Sequence, residues 1–346
     1  MPKSIPGRAV LQQLKADLTG KDSYRGVTLT YAWMANQFGH FSLGFIPTIV
    51  LFTWLVKSHA AIDAVIWAFS IVALNWLIFE VFNFCLPLLF KRRSALKFFY
   101  YPKQQYVFRP PWRNVLYDTA TDIGFFWLGV FCAAITCYYS AVFLAVVIAL
   151  VVLLIKPTRD WFITKMYLQV AEYPFQFRLS QWDIAPLSAR NMANINQFLR
   201  NNSRGMHLLV FGSEGSGKTS LSVGVATELS IKHKTCSYTT GIKLYSAFCD
   251  EQCTIPPGRQ PLWTWANASV LVIDDINSGG KVEDLIQPDI FWGFINRHAT
   301  AKQIIKNANV VWVLGNYPPG HPVIDKWKTM LRNMEIEPAD IYEVNL

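Results

Sequence analysis

The chain has 346 residues, 52% of them apolar and 16% charged, with a formal net charge of +9. That balance excludes a solvated, disordered chain and is too apolar for an ordinary soluble protein. The charge is also unevenly placed: residues 1–156 carry 14 Lys and Arg against 6 Asp and Glu, whereas residues 157–346 carry 18 against 17.

Residues 1–30 are polar and lack a short apolar core before a small-residue cleavage site, so no cleaved leader is expected. Within them RAVLQQLKADL (8–18) is amphipathic, which suits either the surface of a membrane or an ordinary cytosolic helix. Three apolar stretches follow: FSLGFIPTIVLFTWLV (41–56), residues 61–90 interrupted only by Asp63 and Glu80, and an uncharged run of 32 residues from Gly124 to Ile155. A membrane helix needs about 20 apolar residues, so the last run is too long for one helix and enough for two short ones. We expect a transmembrane domain over 31–156 with four helices in two hairpins, near 33–56, 61–84, 121–138 and 141–156, three spans being the alternative. Trp33, Trp54, Trp112, Tyr117, Tyr138 and Tyr139 lie near the span ends, where amphipathic rings anchor.

Loop charges set the orientation. The loop 91–120 between the hairpins carries Lys91, Arg92, Arg93, Lys97, Lys103, Arg109 and Arg113, while the two hairpin turns hold only Lys57 and His59. By the positive-inside rule the N-terminus, this loop and everything after the last span are cytoplasmic, which makes a multi-pass membrane protein. Glu80 and Asp122 fall within or at the edge of spans; such carboxylates mark ion or proton paths, or else sit at the interface.

After a connecting segment at 157–205, MHLLVF (206–211) reads as a strand running into GSEGSGKTS (212–220) and then a helix. Gly212, Gly217, Lys218 and Thr219 match the phosphate-binding pattern G-x-x-x-x-G-K-[ST]. Backbone N–H groups of the loop Gly212, Ser213, Glu214, Gly215, Ser216, Gly217, Lys218, Thr219 and Ser220 suit an ATP phosphate. Lys218 can reach the β- and γ-phosphates and the Thr219 hydroxyl can bind Mg2+. A strand TCSYTT (235–240) and a helix at 242–250 come next, then SVLVIDD (269–275), an apolar strand ending in two acids. Asp274 is placed to hold Mg2+ through water and Asp275 to polarise the attacking water. DIFWGFINRHATAKQI (289–304) reads as one helix, and NVVWVLGNY (309–317) as a buried strand ending at Asn316, whose amide suits the γ-phosphate. His233, Cys236, Cys249 and Cys253 have a spacing that loosely permits zinc, but a strand and a helix carry two of them, so zinc is not expected. The six cysteines form no C-x-x-C pair, and no disulfide framework is expected.

This order of phosphate loop, VLVIDD, FWGFINRH…KQI and a strand ending in Asn resembles the AAA+ ATPases over residues 206–346. Within them it is most similar to the bacterial replication initiator, helicase-loader and transposition-helper group. The resemblance implies an α/β P-loop domain with a mainly parallel five-stranded sheet, Mg2+ and ATP as ligands, and an arginine supplied by a neighbouring subunit. Arg332 matches that arginine best by position, Lys328 less well, and Arg297 is another candidate; each also suits an exposed structural role. Two departures stand out: no C-terminal helical lid is evident after Asn316, and Asp275 stands where most of the family has Glu.

The expected activity is ATP hydrolysis by a homo-oligomer anchored in the membrane, with a protein partner there as a further possibility. The alternatives are a nucleotide-gated membrane switch with little turnover, or a membrane-tethered DNA factor. The near-neutral second half disfavours nucleic acid as a partner.

Overall fold

The computed structural model describes residues 5–19, 29–89, 107–108, 112–182, 187–200, 204–249, 262–276, 286–315, 317 and 320–346. They divide into two compact units, Pro6–Gln105 with Pro110–Ile163, and Thr164–Leu346 with Tyr106–Arg109 and the first five residues.

The first unit is helical: α1 (Gly7–Thr19), α2 (Leu29–Leu55), α3 (Ala61–Leu89), α4 (Trp112–Cys137) and α5 (Ala141–Val170). A helix satisfies its own backbone, which an apolar surrounding demands. Four stretches, Trp33–Leu55, Ala61–Phe82, Val115–Cys137 and Ala141–Val170, are long and apolar enough to cross a membrane. Large apolar side chains such as Val50, Trp67, Leu74, Val142, Val152 and Leu153 point outward. The packing inside relies on close approach. A Cβ at Gly44 would overlap the Phe126 carbonyl oxygen, and one at Gly129 would overlap the Phe41 carbonyl oxygen, so α2 and α4 meet backbone to backbone. Pro47 sits inside α2 and lacks the N–H that would bond the Leu43 carbonyl. The Trp76 indole of α3 donates to that carbonyl instead, at 2.8 Å.

Two helices outrun their sequence limits. α4 begins at Trp112 rather than 121, and α5 passes Pro157 and ends at Val170 rather than 156. The polar residues that look like loop pair across the two helices: Tyr117 donates to Asp160 and the Trp161 indole to Asp118, both at 3.1 Å.

The second unit is an α/β sandwich. Its elements are α6 (Ala189–Arg200), β1 (His207–Phe211), α7 (Lys218–Ile231), β2 (Cys236–Thr240), α8 (Gly241–Cys249), β3 (Val270–Asp274), α9 (Pro288–Ile295), α10 (Ala299–Asn307), β4 (Asn309–Val313), α11 (Pro322–Asn333) and β5 (Ile341–Asn345). All pairings are parallel, in the order β2-β3-β4-β1-β5. Alternate strand residues face opposite sides. Leu209, Phe211, Ile273 and Trp312 pack with Phe291 and Trp327 on one face, while Leu208, Val210, Val272 and Val313 pack with Phe198 and Val225 on the other. Such two-sided burial accounts for the near-continuous apolar strands. With a phosphate loop between β1 and α7, this is the fold of a P-loop NTPase domain.

The single helix expected over 289–304 is two, broken at Asn296–His298. Phe291 and Ile295 of α9 and Ala301 and Ile305 of α10 are all buried. Six residues separate Ile295 from Ala301, which on one straight helix would put them about 120° out of phase. The break re-phases the chain so that both pairs reach the core.

Neither sheet edge is bare. At β5, the Asn191 and Asn194 amides of α6 donate to the carbonyls of Asn345 and Glu343. At β2, Tyr238 N–H donates to the Ala171 carbonyl at 2.8 Å and the Trp263 indole to the Cys236 carbonyl at 2.7 Å.

Candidate functional site

Ligands in open parallel sheets bind beyond the carboxyl ends of the strands. At that end of β1 the chain turns through 212–217 into α7. Gly212 approaches the C-terminal residue so closely that a Cβ would overlap the Leu346 carbonyl oxygen. Gly217, the N-cap of α7, has φ +85°, a conformation in which a side chain is strained. A glycine cap leaves the N–H groups of the first turn without a side-chain acceptor, and no acidic residue lies in that turn. The Ser216 hydroxyl is buried and has no hydrogen-bond partner among the described residues. A concave loop with an orphaned hydroxyl, open amides and the positive end of a helix fits a phosphate.

Lys218 folds back over this loop. Its Nζ donates to the Gly212 carbonyl at 3.1 Å and to the Ser213 carbonyl at 2.9 Å. Burial lowers its pKa, opposed by the carboxylates of Asp274 and Glu214. Thr219 and Ser220 occupy the first turn of α7, while Ser213, Glu214 and Gly215 form the exposed tip.

β3 lies two strands from β1, about 10 Å at ordinary strand spacing. Asp274 ends β3 and is 1% exposed. Both of its oxygens are held: the Tyr238 hydroxyl donates to Oδ2 and the Asp275 N–H to Oδ1, each at 2.8 Å. Burial and then the Asp274 charge push the Tyr238 phenol far up. Tyr238 was not singled out in the sequence, because it reaches Asp274 only through the pairing of β2 with β3. Asp275 follows in the left-handed region at φ +48°, exposed, with its carboxyl raised first by burial and then by Asp274. A non-glycine residue held there stores strain of about 1 kcal/mol or more. The Thr219 hydroxyl and the Asp274 carboxylate are oxygen donors of the kind Mg2+ takes, so their chemistry fits the metal.

Asn316 lies outside the described residues, as does Cys253, and among the described residues no three His, Cys, Asp or Glu side chains converge on a metal site. Arg297, in the turn after α9, and Arg332, in the last turn of α11, are exposed, and among the described residues neither side chain makes an ion pair or hydrogen bond. Lys328 is already engaged by Asp325 at 3.1 Å and Glu343 at 2.8 Å. A cavity of about 280 Å³ opens at the ends of β1 and β5, lined by Arg190, Asn191, Phe211, His321, Ile324 and Asn345 among others.

No protein-family model and no curated protein matches the chain. Among solved structures it is similar to the replication initiator DnaA bound to AMPPCP and single-stranded DNA, at 16% identity over 51% of each chain with a TM-score of 0.34. An AMPPCP-bound DnaA from Aquifex aeolicus gives 16% identity, 50% of this chain, 51% of that chain and a TM-score of 0.33. The DnaC helicase loader gives 18% identity, 52% of this chain, 99% of that chain and a TM-score of 0.32. The chain spans about half the length of the two DnaA structures. At these identities and TM-scores the likeness carries no argument; the strand order and the loop geometry do.

Proposed function

We propose that the second unit binds Mg-ATP and hydrolyses it, working as a homo-oligomer anchored in the membrane by α2–α5. The observation that carries this reading is the loop itself: open first-turn amides, the orphaned Ser216 hydroxyl and Lys218 face the end of the sheet that holds Asp274 and Asp275. The loop amides hold the β-phosphate, and Lys218 exchanges its two loop carbonyls for β- and γ-phosphate oxygens. The first strand's neighbouring cavity, with Arg190 and Asn191 on the segment before β1, receives the base. Bound Mg2+, held by Thr219 and Asp274, supplies neutralising charge on the phosphates. Asp275 orients the attacking water and accepts its proton, a role that its raised pKa favours. Asn316 is assigned the γ-phosphate contact.

A neighbouring subunit supplies the arginine. Arg332 and Arg297 both have uncommitted charge, whereas Lys328 is neutralised within its own chain, which leaves the two arginines as candidates. The basic loop and N-terminus support, by the positive-inside rule, a cytoplasmic ATP site.

The exposed, left-handed Asp275, one methylene shorter than Glu, favours a second reading in which nucleotide binding switches the membrane unit with little turnover. Purified full-length protein in detergent separates the two. Saturable Mg-ATP binding weakened about tenfold or more in Lys218→Ala, with phosphate release lost in Asp275→Asn, supports the ATPase. Binding without release supports the switch, and absence of binding by the unsubstituted protein overturns both.

A further inference from the structure

We propose that the helical unit contains a proton-binding site between α2, α3 and α4, formed by His40, Glu80 and Asp122. Three helices bring one titratable side chain each to the same level. His40 pairs with Asp122 at 3.3 Å, and four residues on, Gly44 lies against Phe126, so α2 and α4 run in the same direction. Trp76 of α3 donates to Leu43 and stacks on Phe126 with centroids 4.2 Å apart and planes 9° apart. α3 returns antiparallel through a short turn after α2. Glu80, one turn past Trp76, and Asp122, one turn before Phe126, therefore step to the same side of that stack. The His40 ring meets the edge of Phe126 from there, at 4.7 Å and 73°. His40 and Asp122 each lie seven residues inside the apolar stretches Trp33–Leu55 and Val115–Cys137, about 10 Å along the helix.

This layer has more acceptors than donors. Glu80 is only 6% exposed, and no Lys or Arg pairs with it or with Asp122 among the described residues. His40 Nε2 faces the Asp122 carboxylate and also has the Asn36 amide nitrogen at 3.4 Å, while its Nδ1 is buried with no partner among the described residues. Gln37 is 5% exposed and its Oε1 also lacks a partner among the described residues. It lies on the buried stripe of α2 with Gly44 and Thr48, one turn from His40, on the face that meets α4. Asp118, one turn before Asp122 on α4, accepts from Trp161 and adds a further acidic charge beside the layer. Asp160 of α5 accepts from Tyr117, Asp63 lies in the first turn of α3, and the basic residues of these helices are Arg113 at the start of α4 and Lys156, Arg159 and Lys165 of α5. Two carboxylates, an amide oxygen and an imidazole nitrogen with so few donors are balanced by an added proton. A proton needs no multi-ligand cage, and among the described residues no three such side chains converge as one. The His40 and Asp122 side chains are each about one-fifth exposed.

Dicyclohexylcarbodiimide tests this on the full chain in liposomes. The probe enters apolar regions and adds across a C=N bond only to a protonated carboxyl, giving an acylurea that peptide mass spectrometry locates. Labelling of Asp122 or Glu80 is expected at about pH 7, falling by up to about tenfold per pH unit once the group is mostly ionised. Asp122→Asn and Glu80→Gln should each slow labelling of the other carboxyl, because a neighbouring negative charge is what favours its protonation. No labelling of either residue between about pH 6 and pH 8 would mean ionised carboxylates at an interface and overturn the site. Labelling that sodium chloride suppresses but choline chloride does not would reassign it to an alkali cation and overturn it too. The main measurement is made on the unsubstituted protein, so it survives a variant that fails to fold.

Discussion

Replacing Trp76 by Phe keeps a ring against Phe126 but removes the donor to the Leu43 carbonyl, which Pro47 leaves without its helical partner. A carbonyl left unsatisfied in an apolar surrounding costs about 1–3 kcal/mol. Hydrogen bonds between membrane helices, measured by double-mutant cycles, average about 0.6 and reach about 1.7 kcal/mol. The Trp76→Phe cost also includes lost indole packing, so the single variant cannot isolate the bond. Pro47→Ala can, because it restores an N–H four residues after Leu43 and makes the indole donor redundant. Trp76→Phe should therefore cost about 0.6–1.7 kcal/mol less in the Pro47→Ala background than in the original chain. The assay is unfolding of the four proteins from detergent micelles by added dodecyl sulfate, followed by far-ultraviolet circular dichroism. If the two costs add to within about 0.3 kcal/mol, the indole does not replace the missing amide and the argument fails.

Lys218→Ala should weaken ATP binding by about tenfold to a hundredfold, as loss of a charged hydrogen bond implies, while leaving the melting temperature nearly unchanged; equilibrium binding of a fluorescent ATP analogue reads it. Tyr238→Phe frees Oδ2 of Asp274, and the Mg2+ concentration for half-maximal nucleotide binding should rise about 10–100-fold with metal-free binding unaffected. Asp275 has a raised folded pKa, so its contribution to stability is whole in acid and is lost as pH rises through that value. Asp275→Asn, which also suits the left-handed backbone, should thus melt higher than the original protein at neutral pH, by no more than about 2 °C, with the gap closing in acid. Gly129→Leu should force α2 from α4 and cost about 3 kcal/mol or more in the dodecyl sulfate titration.

The spans and the phosphate loop were legible because both signals are local. A run of apolar residues specifies a helix long enough to cross a membrane, and Gly212, Gly217, Lys218 and Thr219 sit within eight positions of one another. What escaped depends on partners distant in the chain. Asp118 and Asp160 read as loop residues until Trp161 and Tyr117 are seen to pair with them across α4 and α5. The break between α9 and α10 follows from the need to bury Ile295 and Ala301 on one face, which the continuous pattern of 289–304 conceals. Tyr238 acquires meaning only when β2 lies beside β3 with Thr240 opposite Asp274.

The covered sheet edges limit how copies of this protein can join. With the Asn191 and Asn194 amides on β5, and Ala171 and Trp263 on β2, the outward backbone groups at these positions are taken. At these positions a second copy would find no free backbone group for adding a strand, so any assembly through these edges would rest on side chains and loops. The same caps act as guards against fibre growth: a template would be exposed only once α6 or the Trp263 segment has come away.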